Sequence, residues 1–247
     1  MSLATSNELI LQTGADIPFP QAQLTVHQPS SKEISIITEE AFWSACQIIN
    51  FNRNSLSDED KSELEDKTDF EILMTIMSEK SQQKYRNYVL MLLTLLFPDY
   101  QIRLDDFAIV LIGEKGTSRI DDTNYDTFKD IVVSMFDLNN AEGAQGDYNP
   151  GDTRARKIAE KFRNRKKKMS GDKPDKVAIL SRYISILAVG ENKDKNELSQ
   201  YTVWQLLDEM KRFQMHMASE FYREAIMAGA QDLEEVENWM DDIHPVK

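Results

Sequence analysis

Cysteine is almost absent from this chain of 247 residues, with Cys46 the single example. One thiol closes no internal disulfide and builds no zinc site from sulfur, so a reducing cytoplasm is the expected setting. Histidine is nearly as scarce: His27, His216 and His244 lie far apart, with no HExxH pair and no triad-like grouping. GEKGTS at 113–118 lacks the spacing of a phosphate-binding loop. The longest apolar run, VLMLLTLLF at 89–97, is too short to span a bilayer. The opening MSLATSNELI has no basic stretch and no long apolar one, so no secretory signal is expected. No cofactor, no metal and no catalysis are expected. PDYQIRLDDFAIVLIGEK at 98–115, with acids on a strand followed by Glu114 and Lys115, resembles a metal-dependent nuclease pattern, and Asp105, Asp106, Asp121 and Asp122 are candidate Mg²⁺ ligands. That pattern needs one residue between its last acid and the lysine, and here the two are adjacent. Turn and capping duty explains the aspartates more simply.

What the chain does have is charge, unevenly spread. Its net charge is −13, against wholesale binding to nucleic acid or membrane. Residues 154–176, RARKIAEKFRNRKKKMSGDKPDK, hold eleven Lys or Arg and three acids, a net of +8. The rest of the chain has 18 basic and 39 acidic residues, a net of −21. This basic helix has one ring, Phe162, and no interleaved aromatics for base stacking. Its cations are expected to meet protein acids rather than phosphates, with Arg156, Arg163, Arg165 and Lys167 the candidate docking charges. The dipolar pattern also permits head-to-tail self-association.

The pattern along the chain predicts an α+β protein, predominantly helical. Residues 1–138 form an N-terminal domain of short strands plus packed helices. ELILQ, AQLTV and EISII are predicted strands, split by TGADIPFP and HQPSS. Thr38 caps a helix AFWSACQIIN, and KYRNYVLMLLTLLFP is a buried helix stopped by Pro98. YQIRLDDFAIVLIGEKGTSRI reads as two or three strands, and Asp121 or Asp122 caps the helix YDTFKDIVVSMFDL. Residues 139–152, rich in Gly and Asn, are the predicted linker or loop. Residues 153–247 form an all-helical domain with the basic helix, VAILSRYISILAVG with Gly190 as its C-cap, a long helix from Tyr201 to Gly229, and an acidic tail.

On the long helix Trp204, Leu207, Met210, Phe213, Met217 and Phe221 make an apolar face that is wide for a single helix. Its methionines provide packing that adapts to different partners. These six residues are the candidate apolar contact surface.

The stretches NPGDTRARKIAEKFRNRKKKM, LSRYISILAVG and YTVWQLLDEMKRFQ…AIMAGAQDLEEVENWMDDIHP resemble the tail assembly chaperones of long-tailed bacteriophages. Tyr201, Thr202, Gln205, Leu206, Asp208, Glu209, Ala228, Gly229, Ala230, Val236, Trp239 and Met240 carry the resemblance, over the C-terminal hundred residues. It implies a non-enzymatic protein of the host cell cytoplasm, encoded near the tape-measure gene. Such a protein keeps the tape-measure protein soluble, recruits the tail tube protein and leaves before the tail is complete. The family often makes two products by ribosomal slippage, and Lys166, Lys167 and Lys168 would suit a slippery codon run. Two rival expectations stand beside it: a structural virion component such as a baseplate or tail-completion protein, and a nucleic-acid-binding phage regulator.

Overall fold

The structure is a computed structural model describing residues 3–51, 67–78, 83–105, 107–114, 116–138, 178–229 and 240. The predicted linker at 139–152 and the basic helix, with Arg156, Arg163, Arg165 and Lys167, lie outside the described residues. The fold is α+β and predominantly helical.

Helix α1 (Leu3–Thr13) leads through Gly14 into a small hairpin of β1 (Ile17–Phe19) and β2 (Leu24–Val26). These strands pair antiparallel with Ile17 opposite Val26 and Phe19 opposite Leu24, all four buried. Two of the three predicted N-terminal strands are therefore helical. ELILQ lies within α1, and EISII lies within α2 (Ser31–Ile37). In α2 the reason is local. Ser30 Oγ accepts from the Glu33 amide, and the Glu33 carboxylate accepts from the Ser30 amide at 2.7 Å, a reciprocal cap that commits the next residues to a helix.

Thr38 ends α2 and caps α3 (Glu39–Ile49), its hydroxyl accepting from the Ala41 amide. Then come α4 (Asp69–Ser78) and α5 (Gln83–Leu96), which packs against α3. A three-stranded antiparallel sheet follows: β3 (Gln101–Asp105), β4 (Ala108–Gly113) and β5 (Gly116–Ile120), with β4 central. Its register sets Arg103 against Val110 and Val110 against Arg119. Helix α6 (Tyr125–Met135) begins at Asn124 rather than at Asp121 or Asp122. Asp121 instead accepts from the Thr123 amide and hydroxyl and pairs with Arg119, which is turn duty.

Rings fill the centre. Phe97 stacks on Phe128 at 6.0 Å, and Phe42 meets Phe136 edge-on at 4.8 Å. Each fully buried ring contributes about 1.5–3 kcal/mol. Tyr125 reaches across with its hydroxyl donating to Ile49 O at 2.9 Å, and burial pushes that phenol's pKa well up. Lys129 donates to Phe51 O and pairs with Asp69 at 2.8 Å, tying the end of α3 to α4 and α6.

The C-terminal helices are α7 (Ile179–Gly190), the short α8 (Lys195–Ser199) and the long α9 (Val203–Met227). They join the same core: Leu180, Leu187, Leu198, Val203 and Leu206 belong to one apolar cluster with Phe42 and Phe97. Polar contacts reinforce the junction. Glu39 accepts from the Leu180 amide at 2.8 Å, satisfying a donor at the start of α7. The Ser31 amide donates to Tyr201 O at 3.0 Å. No helix among the described residues is long and apolar enough to cross a membrane.

Candidate partner-binding surface

Helix α9 begins with its own reciprocal cap. Thr202 Oγ1 accepts from the Gln205 amide, and Gln205 Oε1 accepts from the Thr202 amide at 2.9 Å. Gln205 Nε2 then donates to Gln12 O at 2.7 Å, so the capping residue also fastens the last turn of α1. Thr202 and Gln205 thus start the helix and seat it.

Along α9 the apolar face changes environment. Val203, Trp204, Leu206 and Met210 are buried, whereas Leu207 and Phe213 are half-buried against the same core. The neighbouring turn is clamped by Lys193, which pairs with Glu209 and with Glu191. Burial works against that ammonium, but its bonds to the two carboxylates outweigh it and hold its pKa well above the usual lysine range. Arg212 pairs with Asp208 one turn back.

Phe213 packs against the end of α7. A methyl group at Gly190 would stand 2.3 Å from Cζ of Phe213, so the missing side chain is what lets the ring lie against α7. Gly190 is the last residue of α7 and Glu191 occupies the C-cap. The predicted capping role of Gly190 is thus replaced by a close-approach role. Beyond Phe213 the helix runs another 14 residues, about 21 Å. There Met217 is 51% exposed, Phe221 73% and Met227 84%.

The apolar stripe therefore outlasts its packing. At helical spacing, Leu206, Met210, Phe213, Met217 and Phe221 share one face. Its first two members are buried, its third is half-buried, and its last two are exposed. Of the six predicted contact residues, Trp204 and Met210 lie in the core, Leu207 and Phe213 sit at its margin, and Met217 and Phe221 form the accessible part.

Val189, 84% exposed at the end of α7, and Ile226 and Met227 on α9 are exposed apolar residues that the sequence reading did not select. Val189 carried a signal: VAILSRYISILAVG has more apolar positions than one buried helix face can absorb. The exposed end of α9 is solubilised by polar pairs, with Arg223 bonded to Glu220 and His216 within 4.0 Å of the same carboxylate.

Chain and fold together define an α+β protein with a helical C-terminal unit whose long helix carries an exposed apolar end. Residues 167–244, which include α7, α8 and α9, are matched by the family model described as the YomV second domain, a phage-associated domain family. The match takes in 78 of the 247 residues. Neither a curated protein nor a solved structure matches the chain.

Proposed function

We propose that this chain is a phage tail assembly chaperone, without catalytic activity, that binds apolar helical segments of the tape-measure protein. Tail tube subunits are its second partner and the host cell cytoplasm its place of action. The observation that carries this reading is the continuation of the α9 apolar stripe through Met217 and Phe221 into solvent. A helix that presents apolar side chains at i and i+4 beyond its own core is suited to lie against another amphipathic helix. Methionine tolerates imperfect complementarity there, as a holder of a long and varied partner requires. Trp204 and Met210 serve indirectly, by anchoring the root of the helix. The resemblance of the C-terminal hundred residues to tail assembly chaperones and the match to a phage-associated domain both support the setting.

The test is co-expression with a helical tape-measure fragment that is insoluble alone. The chain is expected to bring the fragment into the soluble fraction, and Phe221→Asp with Met217→Asp to abolish the effect while the chain itself stays folded. A fragment that stays insoluble with the wild-type chain, or rescue that survives the double substitution, overturns the reading.

A further inference from the structure

The exposed end of α9 carries charge as well as apolar surface. At helical spacing Glu224 lies three residues after Phe221 and seven after Met217, so it shares their face. Glu220, three residues after Met217, borders the same face. The two acids differ in company. Glu220 is bonded to Arg223 and lies within 4.0 Å of His216. Glu224 is exposed, and its carboxylate has no ion pair or hydrogen bond among the described residues. The opposite border holds Gln214, Ala218 and Ala225 and no charge.

Two further features add to the negative potential there. Glu224 stands in the last turn of α9, where the backbone dipole of the helix is itself negative, and no basic residue lies in that turn to offset it. The sequence that follows Gly229 has six acids and one lysine. A carboxylate at the negative end of a helix works against that helix, so the arrangement is poor for α9 alone. A cation brought by a partner relieves it.

We infer that the exposed end of α9 selects amphipathic partner helices that carry Lys or Arg beside their apolar stripe, with Glu224 the residue that reads the cation. This selection rests on the reading of Met217 and Phe221 as a helix-binding stripe and adds a charge requirement to it. The apolar pair supplies contact area without regard to sign, whereas Glu224 discriminates between partner helices of equal hydrophobicity. Acidic flanks are repelled and basic flanks are drawn in. Glu224 faces water, so the discrimination is about three- to tenfold and weakens with salt.

Two synthetic amphipathic helices test this on the full chain. They share one apolar face and differ only in flanking it with Lys or with Glu. Fluorescence anisotropy of the labelled peptides gives their affinities at about 0.05 M and about 0.5 M salt. The Lys-flanked helix is expected to bind about three- to tenfold more tightly at the lower salt, with the gap closing at the higher. Glu224→Gln should shrink that preference and Glu224→Lys remove it. Asp99→Lys, in the turn between α5 and β3, alters net charge equally and should leave the preference in place. Equal binding of the two peptides by the wild-type chain overturns the selection, as does an equal response to Asp99→Lys and Glu224→Lys. Met217→Ser with Phe221→Ser separates charge from stripe. If that pair abolishes binding while the wild type shows no charge preference, the stripe stands and the selection falls. If neither peptide binds the wild-type chain, both fall.

Discussion

The ring of Phe213 occupies the space that a side chain at Gly190 would need, with Cζ 2.3 Å from the position of the missing methyl group. Phe213 is the last residue of the stripe packed against the core, and the exposed part begins beyond it. Gly190→Ala is expected to lower stability by about 1–2 kcal/mol, since a displaced ring costs more than a helical alanine returns. Urea unfolding of the two single variants and of Gly190→Ala with Phe213→Ala measures it. The double variant should lose less than the sum of the singles, and strict additivity would show that the residues do not meet.

Burial along α9 separates folding from binding. Phe221→Ala, at a side chain 73% exposed, is expected to leave stability within about 0.5 kcal/mol. Trp204→Ala, at a side chain 5% exposed, is expected to cost about 3–5 kcal/mol. Thermal or urea denaturation distinguishes them, and a large loss at Phe221 would mean that the stripe is covered within the chain itself.

Thr38 and Thr202 both cap helices through their hydroxyls, yet they should respond differently to substitution. Thr202 has extended backbone at φ −64°, ψ 166°, and its replacement by Ala is expected to cost about 1 kcal/mol. Thr38 is held at φ 73°, ψ 144°, where a β-branched residue is strained. Thr38→Gly removes the strain together with the cap and is expected to be neutral or stabilising by up to about 1 kcal/mol. A loss of 2 kcal/mol or more would contradict this backbone assignment (a threshold of roughly twice a typical cap).

Burial alone would raise the pKa of the Glu33 carboxyl, but hydrogen bonds from Ser30 and His27 outweigh it, which gives a pH signature with a defined sign. Its folded-state pKa lies below the ordinary value of 4.5, so its contribution is full above that value and is lost as the pH falls through the folded-state pKa. Glu33→Gln is therefore expected to lower the melting temperature near neutrality and to converge on the wild type in strong acid. Parallel melting curves of the two proteins across the acid range would check it. A constant difference would show that the carboxylate charge plays no part.

Local signals were legible where they were covalent neighbours. The turn through Glu114 and Gly116, the cap at Thr38, the end of α9 near Gly229 and the helical period from Leu206 to Phe221 all follow from spacing and residue type. The reading of ELILQ and EISII as strands fails because short apolar runs fit either period. In EISII the deciding residues, Ser30 and Glu33, stand three apart at the boundary of the run.

The sequence by itself determined an α+β chain with a strongly amphipathic C-terminal helix, because side-chain period and capping chemistry act within a few residues. Only the tertiary structure decided which part of that helix is core and which is surface. The residues of the stripe are alike in chemistry, and what separates Met210 from Phe221 is that the first packs into the shared core while the second stands beyond it. The contacts of the His27 ring with Asp16 and Glu33 are equally beyond linear reading. Asp16, His27 and Glu33 meet because α1, the β1–β2 hairpin and α2 pack around them, and no short-range rule places two carboxylates on one ring.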